Sequence, residues 1–353
     1  MLHKFLNEFR FRLQIQPDGP ILIKAGADSS GNATLSFVRT WRNGREEVFL
    51  PGSSLKGALR AHGERIARTL CEDSVCNLFN NPYGRNRANP SPWGRAGCYE
   101  TIQNHHRNVK NQRRKHKKTN LQPIVGPELF SLLCPACQLF GSLSWAGRFS
   151  IGDAYLDLKD DAGQAEQKVR DSEAIDHIIE PEIRDGVAID RFSGGAASSA
   201  KFQFEGLTDG LFTTTLILQN ITWWQASWVA LILRDLTDGM VTFGMGASRG
   251  LGRVNPSLEA MTLDLVGPPL KATIPCPALG LAEAGAYGFY EEPALSIPAG
   301  IQPQRLGIRQ RLAFDKGQAR TFLEAMFPRF NQHLERKETR QFRARMVSME
   351  GGA

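Results

Sequence analysis

Six cysteines stand in the chain, and four of them form two pairs that bracket one polar stretch: Cys71-x4-Cys76 before it and Cys134-x2-Cys137 after it. Thiolates at such spacings can hold zinc tetrahedrally at ~2.3 Å. A metal of this kind holds together a segment too polar to fold by burying apolar surface. The spacing therefore predicts a structural Zn2+ on Cys71, Cys76, Cys134 and Cys137. Cys98, His105 and His106 are substitute ligands, and buried free thiols or a redox dithiol are the alternatives. Cys276, within Ile-Pro-Cys-Pro, reads as a core residue.

Two stretches could meet phosphate. In LPGSSLKGALR (50–60) a Pro-Gly turn runs into Ser53 and Ser54, which read as the cap of a helix. Free N–H groups at a helix N-terminus, with Lys56 and Arg60 in its first turns, suit an anion. In FGMGASRGLGRV (243–254) glycines at 244, 246 and 250 mimic dinucleotide-fingerprint spacing, but no helix follows, which excludes a Rossmann site. Such glycines still let backbone amides approach phosphate, with Arg249 and Arg253 to contact it. The chain has no Walker lysine loop or H-E-x-x-H. Asp28 is the carboxylate best placed to serve a divalent ion, followed by Asp185 and Asp190. His62, close to the Ser-Ser helix, is the one histidine in the core motifs.

The elements that must position these groups read as a mixture. EFRFRLQIQ alternates with period two and predicts a strand, with Phe9, Phe11, Leu13 and Ile15 on one face. LSFVRTW, Arg42-Asn43-Gly44-Arg45 and EEVFL predict a hairpin. Residues 55–70 recur at helical spacing. VAIDRFSGGAASSAKFQFEGL reads as strand, glycine-rich loop, strand. LFTTTLILQ reads as a strand, WWQASWVALILRDLTDG as an amphipathic helix ended by Gly239, and VTFGMGASRGLGRVNP as a glycine-bearing strand. A Pro- and Ala-rich linkage (266–303) leads to helices interrupted at Pro328.

With 353 residues and 41% hydrophobic content, the chain can fill a core and is not wholesale disordered. Its mean hydropathy is −0.30, and no apolar run is long enough to span a membrane. The charge-broken N-terminus lacks a signal peptide's apolar stretch, so a cytoplasmic protein with reduced thiols is expected. The net charge of +7 is concentrated: residues 82–122 hold ten Lys/Arg against Glu100, and 303–345 hold eleven against four acids. Concentrated positive charge suits a polyanion, since each Lys or Arg facing a phosphate releases counterions. A solvated basic loop and tail is the plainer alternative.

Taken together, LPGSSLKGALR (50–60), CPACQLFGS (134–142), RDGVAIDRFSGGAASSAKFQFE (184–205) and FGMGASRGLGRV (243–254) resemble the RAMP superfamily of CRISPR proteins. They are most similar to zinc-containing backbone subunits of type III effector complexes, over roughly residues 5–256. The resemblance implies an α+β fold: a ferredoxin-like (RRM-type) antiparallel sheet core over 1–70 and 138–265. It implies a thumb hairpin at about 184–205, with a basic zinc-binding insertion at 71–137. A basic C-terminal extension at 266–353 lies outside the resemblance. Its partners would be CRISPR guide RNA, target RNA, other RAMP-type subunits and a large polymerase-like subunit, with no membrane. On this likeness Ser53, Ser54, Lys56 and Arg60 hold the guide backbone, joined by Arg39. Gly246, Ser248, Arg249 and Arg253 lie beside it, and Arg191 and Lys201 flank the thumb tip, which wedges into the guide–target duplex. Members that cut target RNA do so with an aspartate and a divalent ion, Mg2+ or Mn2+. The family's aspartate falls just before the segment equivalent to Phe37-Val38-Arg39, where this chain has Ala33-Thr34-Leu35-Ser36. Either Asp28 serves from a shifted position, or this subunit binds without cutting. Two rival functions remain: an endoribonuclease that processes precursor guide, for which His62 would be the acid–base group, and a zinc-stabilised non-enzymatic scaffold.

Overall fold

The computed structural model describes residues 4–26, 35–42, 44–72, 74–76, 97–114, 124, 126–157, 180–276 and 292–336. Its centre is strand β1 (Asn7–Pro17), whose alternation is as the sequence predicts: Phe9, Phe11, Leu13 and Ile15 are buried while Arg10 and Arg12 point outward. Around it forms a sheet in the order β12–β13–β9–β1–β8–β4, with β5 also on β8 and every pairing antiparallel. These strands are β4 (Phe149–Ile151), β5 (Tyr155–Leu156), β8 (Phe212–Gln219), β9 (Val254–Val266), β12 (Gln304–Leu306) and β13 (Arg309–Phe314). Phe9 stands opposite Leu218 on one side and Leu263 on the other, so the inward faces of three strands coincide. Residues 304–314 thus pair onto the same sheet that β1 centres.

Helices α1 (Gly52–Leu70) and α5 (Trp223–Thr237) pack on the inward face. α1 begins two or three residues earlier than its serines suggest. Pro51 is the N-cap and no side chain of the cap residue closes the helix. Instead the Asp153 carboxylate accepts from the Gly52 N–H at 2.7 Å. Only glycine fits at position 52, because a Cβ there would lie 2.5 Å from the Ile151 carbonyl oxygen.

α5 is buried nearly all round rather than amphipathic. The reason is a second layer from the C-terminal segment. After α6 (Lys316–Glu324), Pro328 starts α7 (Pro328–Glu335), which lays Phe330 on Trp228 at 4.5 Å and His333 on Trp224 at 3.8 Å between ring centroids. The face of α5 that would otherwise meet water meets aromatic rings.

Between α1 and β4 run α2 (Cys98–Arg114), α3 (Gly126–Leu132) and α4 (Pro135–Phe140). Two hairpins stand apart from the main sheet: β2 (Arg39–Arg42) with β3 (Arg45–Val48), and β6 (Glu182–Ile189) with β7 (Ala196–Gly206). A short pair, β10 (Thr273–Ile274) and β11 (Leu295–Ser296), completes the strands. The β6–β7 hairpin projects into solvent. Its turn is closed by Asp190, which accepts from the Phe192 and Ser193 N–H groups and from the Ser193 hydroxyl, and Phe192 is fully exposed at the tip. The expected strand at 241–252 is instead a loop holding a 3-10 turn, Ala247–Arg249, and β9 begins only at Val254. Its four glycines all have φ between 80° and 88°, which an extended strand does not allow. No helix among the described residues is long and apolar enough to cross a membrane.

Candidate functional site

Four cysteines converge, though not the predicted four. Cys76, Cys98, Cys134 and Cys137 are buried, with sulfur atoms all within 4.8 Å of one another; Cys76 Sγ lies 3.6 Å from both Cys134 Sγ and Cys137 Sγ. A tetrahedral ion with bonds of ~2.3 Å separates its sulfurs by ~3.8 Å. The spacing is far too long for disulfides and close to that of a tetrathiolate cage. The group can therefore hold a metal such as zinc. Cys71 does not join it. It ends α1, where its N–H bonds Ala67 O and its carbonyl receives the Ser74 N–H. The turn so made delivers Cys76, and the fourth sulfur comes from Cys98 at the first residue of α2.

Local backbone geometry favours thiolates here. Cys98 sits at the positive end of a 17-residue helix. Cys134 is the N-cap of α4, with Pro135 at N1, and its sulfur accepts the Cys137 N–H at 3.5 Å. Cys98 Sγ accepts the Cys134 N–H at 3.2 Å. For Cys134, burial opposes ionisation but is outweighed by hydrogen bonds from Cys137, Cys76 and Cys98, so its thiol is held well below the usual range. Hydrogen bonding to Cys134 and burial push Cys98 and Cys137 well up. Four buried sulfurs share proton and charge this way until a cation neutralises them.

The residues expected to hold a phosphate backbone fall into two groups. At α1, Ser53 is exposed and Ser54 half-buried, but the Gly52 N–H is taken by Asp153. Lys56 donates to the Phe149 carbonyl at 3.0 Å, and burial with the nearby Arg60 charge lowers its pKa. Arg60 points inward to Glu64, Gly141 and Cys137. Arg39 is ion-paired at 2.8 Å to Glu205, a buried carboxylate that also accepts the Phe37 N–H. His62 Nε2 lies 2.6 Å from Asp235 Oδ2, with the ring buried between α1 and α5.

The second group is outward-facing. Ser248, Arg249 and Arg253 are exposed on the glycine loop, and Gly246 is half-buried beneath them. The loop is pinned to the preceding segment by Met245 N–H to Leu22 O and Gly252 N–H to Pro20 O. The approach is so close at Gly244 that a Cβ would lie 2.2 Å from Leu22 O. The Arg249 guanidinium stands 5.6 Å from the centre of the Phe202 ring on β7. Phe202 in turn lies across Gly186 of β6, where a Cβ would meet the ring at 2.3 Å. Lys201 is exposed and pairs loosely with Asp185 at 3.6 Å, and Arg191 is exposed near the hairpin tip. Phe202, Glu205 and Asp153 were not singled out from sequence. The Phe202-x-Phe204 alternation was the one available signal. Asp28 and Lys115 to Lys118 lie outside the described residues.

The sequence matches the profile of the RAMP superfamily over residues 15–255, and the chain belongs to that superfamily. Among solved structures it is similar to a chain described as a Type IV-B CRISPR Complex. That likeness has 16% identity and a TM-score of 0.37, and covers 70% of this chain and 90% of that one. No curated protein sequence matches it.

Proposed function

We propose that this chain is an RNA-binding backbone subunit of a type III CRISPR effector complex. It would hold guide RNA by its backbone, without sequence preference, next to other RAMP-type subunits and a large polymerase-like subunit. The observation that carries the proposal is the meeting of the glycine loop with the base of the projecting hairpin. There an exposed arginine stands over an aromatic ring, with Arg253, Lys24 and Lys201 also exposed. Basic groups beside an aromatic face suit single-stranded nucleic acid, which offers phosphates and base faces at once.

Within this reading the four central strands, β9–β1–β8–β4, make a ferredoxin-like core, and the β6–β7 hairpin is the thumb. The core residues are 1–70 and 138–265, and 71–137 is a zinc-binding insertion. The centre at Cys76, Cys98, Cys134 and Cys137 holds structural zinc. Lys56, Arg60 and Arg39 spend their charge inside the protein, so the glycine loop and hairpin carry the phosphate contacts. The His62 ring, buried and paired to Asp235, is a poor acid–base group for RNA processing, which weighs against the precursor-processing alternative. Purified protein should carry a short RNA of uniform length. Arg249→Ala with Arg253→Ala should strip that RNA while leaving the fold intact by circular dichroism. RNA-free protein, or a double variant that keeps its RNA, would refute the proposal.

A further inference from the structure

Charge inside the cysteine centre points to a role for Arg60 that its place in the Ser-Ser helix motif conceals. Four thiolates around a divalent ion leave a net charge of −2, and a buried net charge is costly unless it is paired. Backbone N–H groups reach Cys98 Sγ and Cys134 Sγ. Among the described residues, a cationic side chain hydrogen-bonded to the cluster is Arg60, whose Nη2 lies 3.7 Å from Cys137 Sγ. The guanidinium is fixed there from two other sides: Nε donates to Glu64 at 2.8 Å and Nη1 donates to the Gly141 carbonyl at 2.8 Å. Its side chain is 17% exposed. Glu64 is braced from its other oxygen by Arg68, which also donates to the Cys76 carbonyl. One face of α1 is therefore built around the sulfur cluster, and a planar five-donor fork suits that triple engagement better than a lysine ammonium.

We propose that Arg60 is the counter-ion and positioning residue of the four-cysteine metal centre, donating to the Cys137 thiolate, and not a contact to RNA. The inference rests on the reading that Cys76, Cys98, Cys134 and Cys137 hold a metal. Wild-type zinc content tests that reading by itself: about one zinc per chain supports it, and none removes it. The test of Arg60 is zinc release to a chromogenic chelator, followed in wild type, Arg60→Met and Arg60→Lys. Loss of a group that supports a metal ligand typically weakens metal binding ~10–100-fold. Arg60→Met is expected to speed zinc release at least tenfold, and Arg60→Lys to restore part of the difference. Arg60→Met with Glu64→Gln keeps Glu64 from being stranded and guards against simple misfolding. In Co2+-substituted protein, removing the donor makes the Cys137 sulfur more electron-rich. The sulfur-to-cobalt charge-transfer band should then move to lower energy, a shift that a merely structural role would not produce. Unchanged zinc release and an unmoved cobalt band, with or without a loss of RNA affinity, would overturn the proposal.

Discussion

The exchange of Cys98 for Cys71 as the fourth sulfur can be tested quantitatively. Apparent binding of structural zinc by small domains is worth ~10–16 kcal/mol. Shared over four equivalent thiolates, each sulfur contributes about 3 kcal/mol, or a factor of ~10² to 10³ in affinity. Cys98 Sγ is within 4.8 Å of the other three sulfurs and accepts a hydrogen bond from the N–H of Cys134. Cys98→Ser should therefore weaken zinc binding by that factor and loosen α2, which the sulfur ties to α4. Cys71→Ser should change affinity less than threefold, because that residue lies in the turn ending α1 and outside the cluster. The assay is competition with a zinc chelator of known affinity, with near-ultraviolet circular dichroism reporting tertiary structure. If Cys71→Ser costs as much zinc affinity as Cys98→Ser, or Cys98→Ser costs nothing, the geometric argument is wrong.

Three further outcomes are expected. Burial raises the Glu292 carboxyl to about 7, against the opposing effect of the Trp223 N–H it accepts, so the fold prefers it protonated. Stability should fall by roughly 3 kcal/mol between about pH 4.5 and pH 7 on this account, and Glu292→Gln should flatten that slope in denaturant titrations. Arg249→Ala should weaken binding of single-stranded RNA and reduce its salt slope by ~0.7. Phe202→Ala should cost ~1–3 kcal/mol if a base stacks there. An unchanged slope and affinity would remove the glycine loop from the RNA path. If wild type with guide, matched target and Mg2+ cuts target RNA opposite this subunit, Asp28→Ala should abolish that cleavage. Persistence of cleavage excludes Asp28, and no cleavage by wild type makes the subunit one that binds without cutting.

Local patterns carried much of this architecture. The alternation in β1, the Asn-Gly hairpin and the small-residue turn between β6 and β7 are each set by a few neighbouring residues, and each is found where its pattern lies. What escaped was long-range. Cys98 has no cysteine partner near it in sequence, and only the entry of α2 brings it to the pair at 134–137. The apolar residues of α5 look like one stripe until Phe330 and His333 arrive from about 100 residues downstream to cover the other side. The charges of Lys56, Arg60 and Arg39 look like phosphate ligands in sequence. The carbonyl partners of Lys56 and Arg60 lie 93 and 81 residues away, and the pairing that neutralises Arg39 spans 166. The N-cap serines were misjudged for a similar reason, since the acid that caps α1 comes from position 153.

One late addition to the sheet bears on how the chain behaves while it is being made. β9 is 13 residues long, and β1 occupies only one of its sides. Until Arg309–Phe314 pairs with Met261–Val266, the other side is an open edge with unmet N–H and C=O groups. Such an edge is a template for strands from other molecules. The β13 strand shuts it, and the final strand of the sheet, β12, is only three residues long and carries Arg305. A chain cut before residue 304 would also lose the aromatic cover of α5. It should therefore accumulate as aggregate even though every residue of β1, β8 and β9 is present. Supplying residues 304–336 as a separate peptide during refolding should lower light scattering, and scattering that stays the same would mean the edge is harmless.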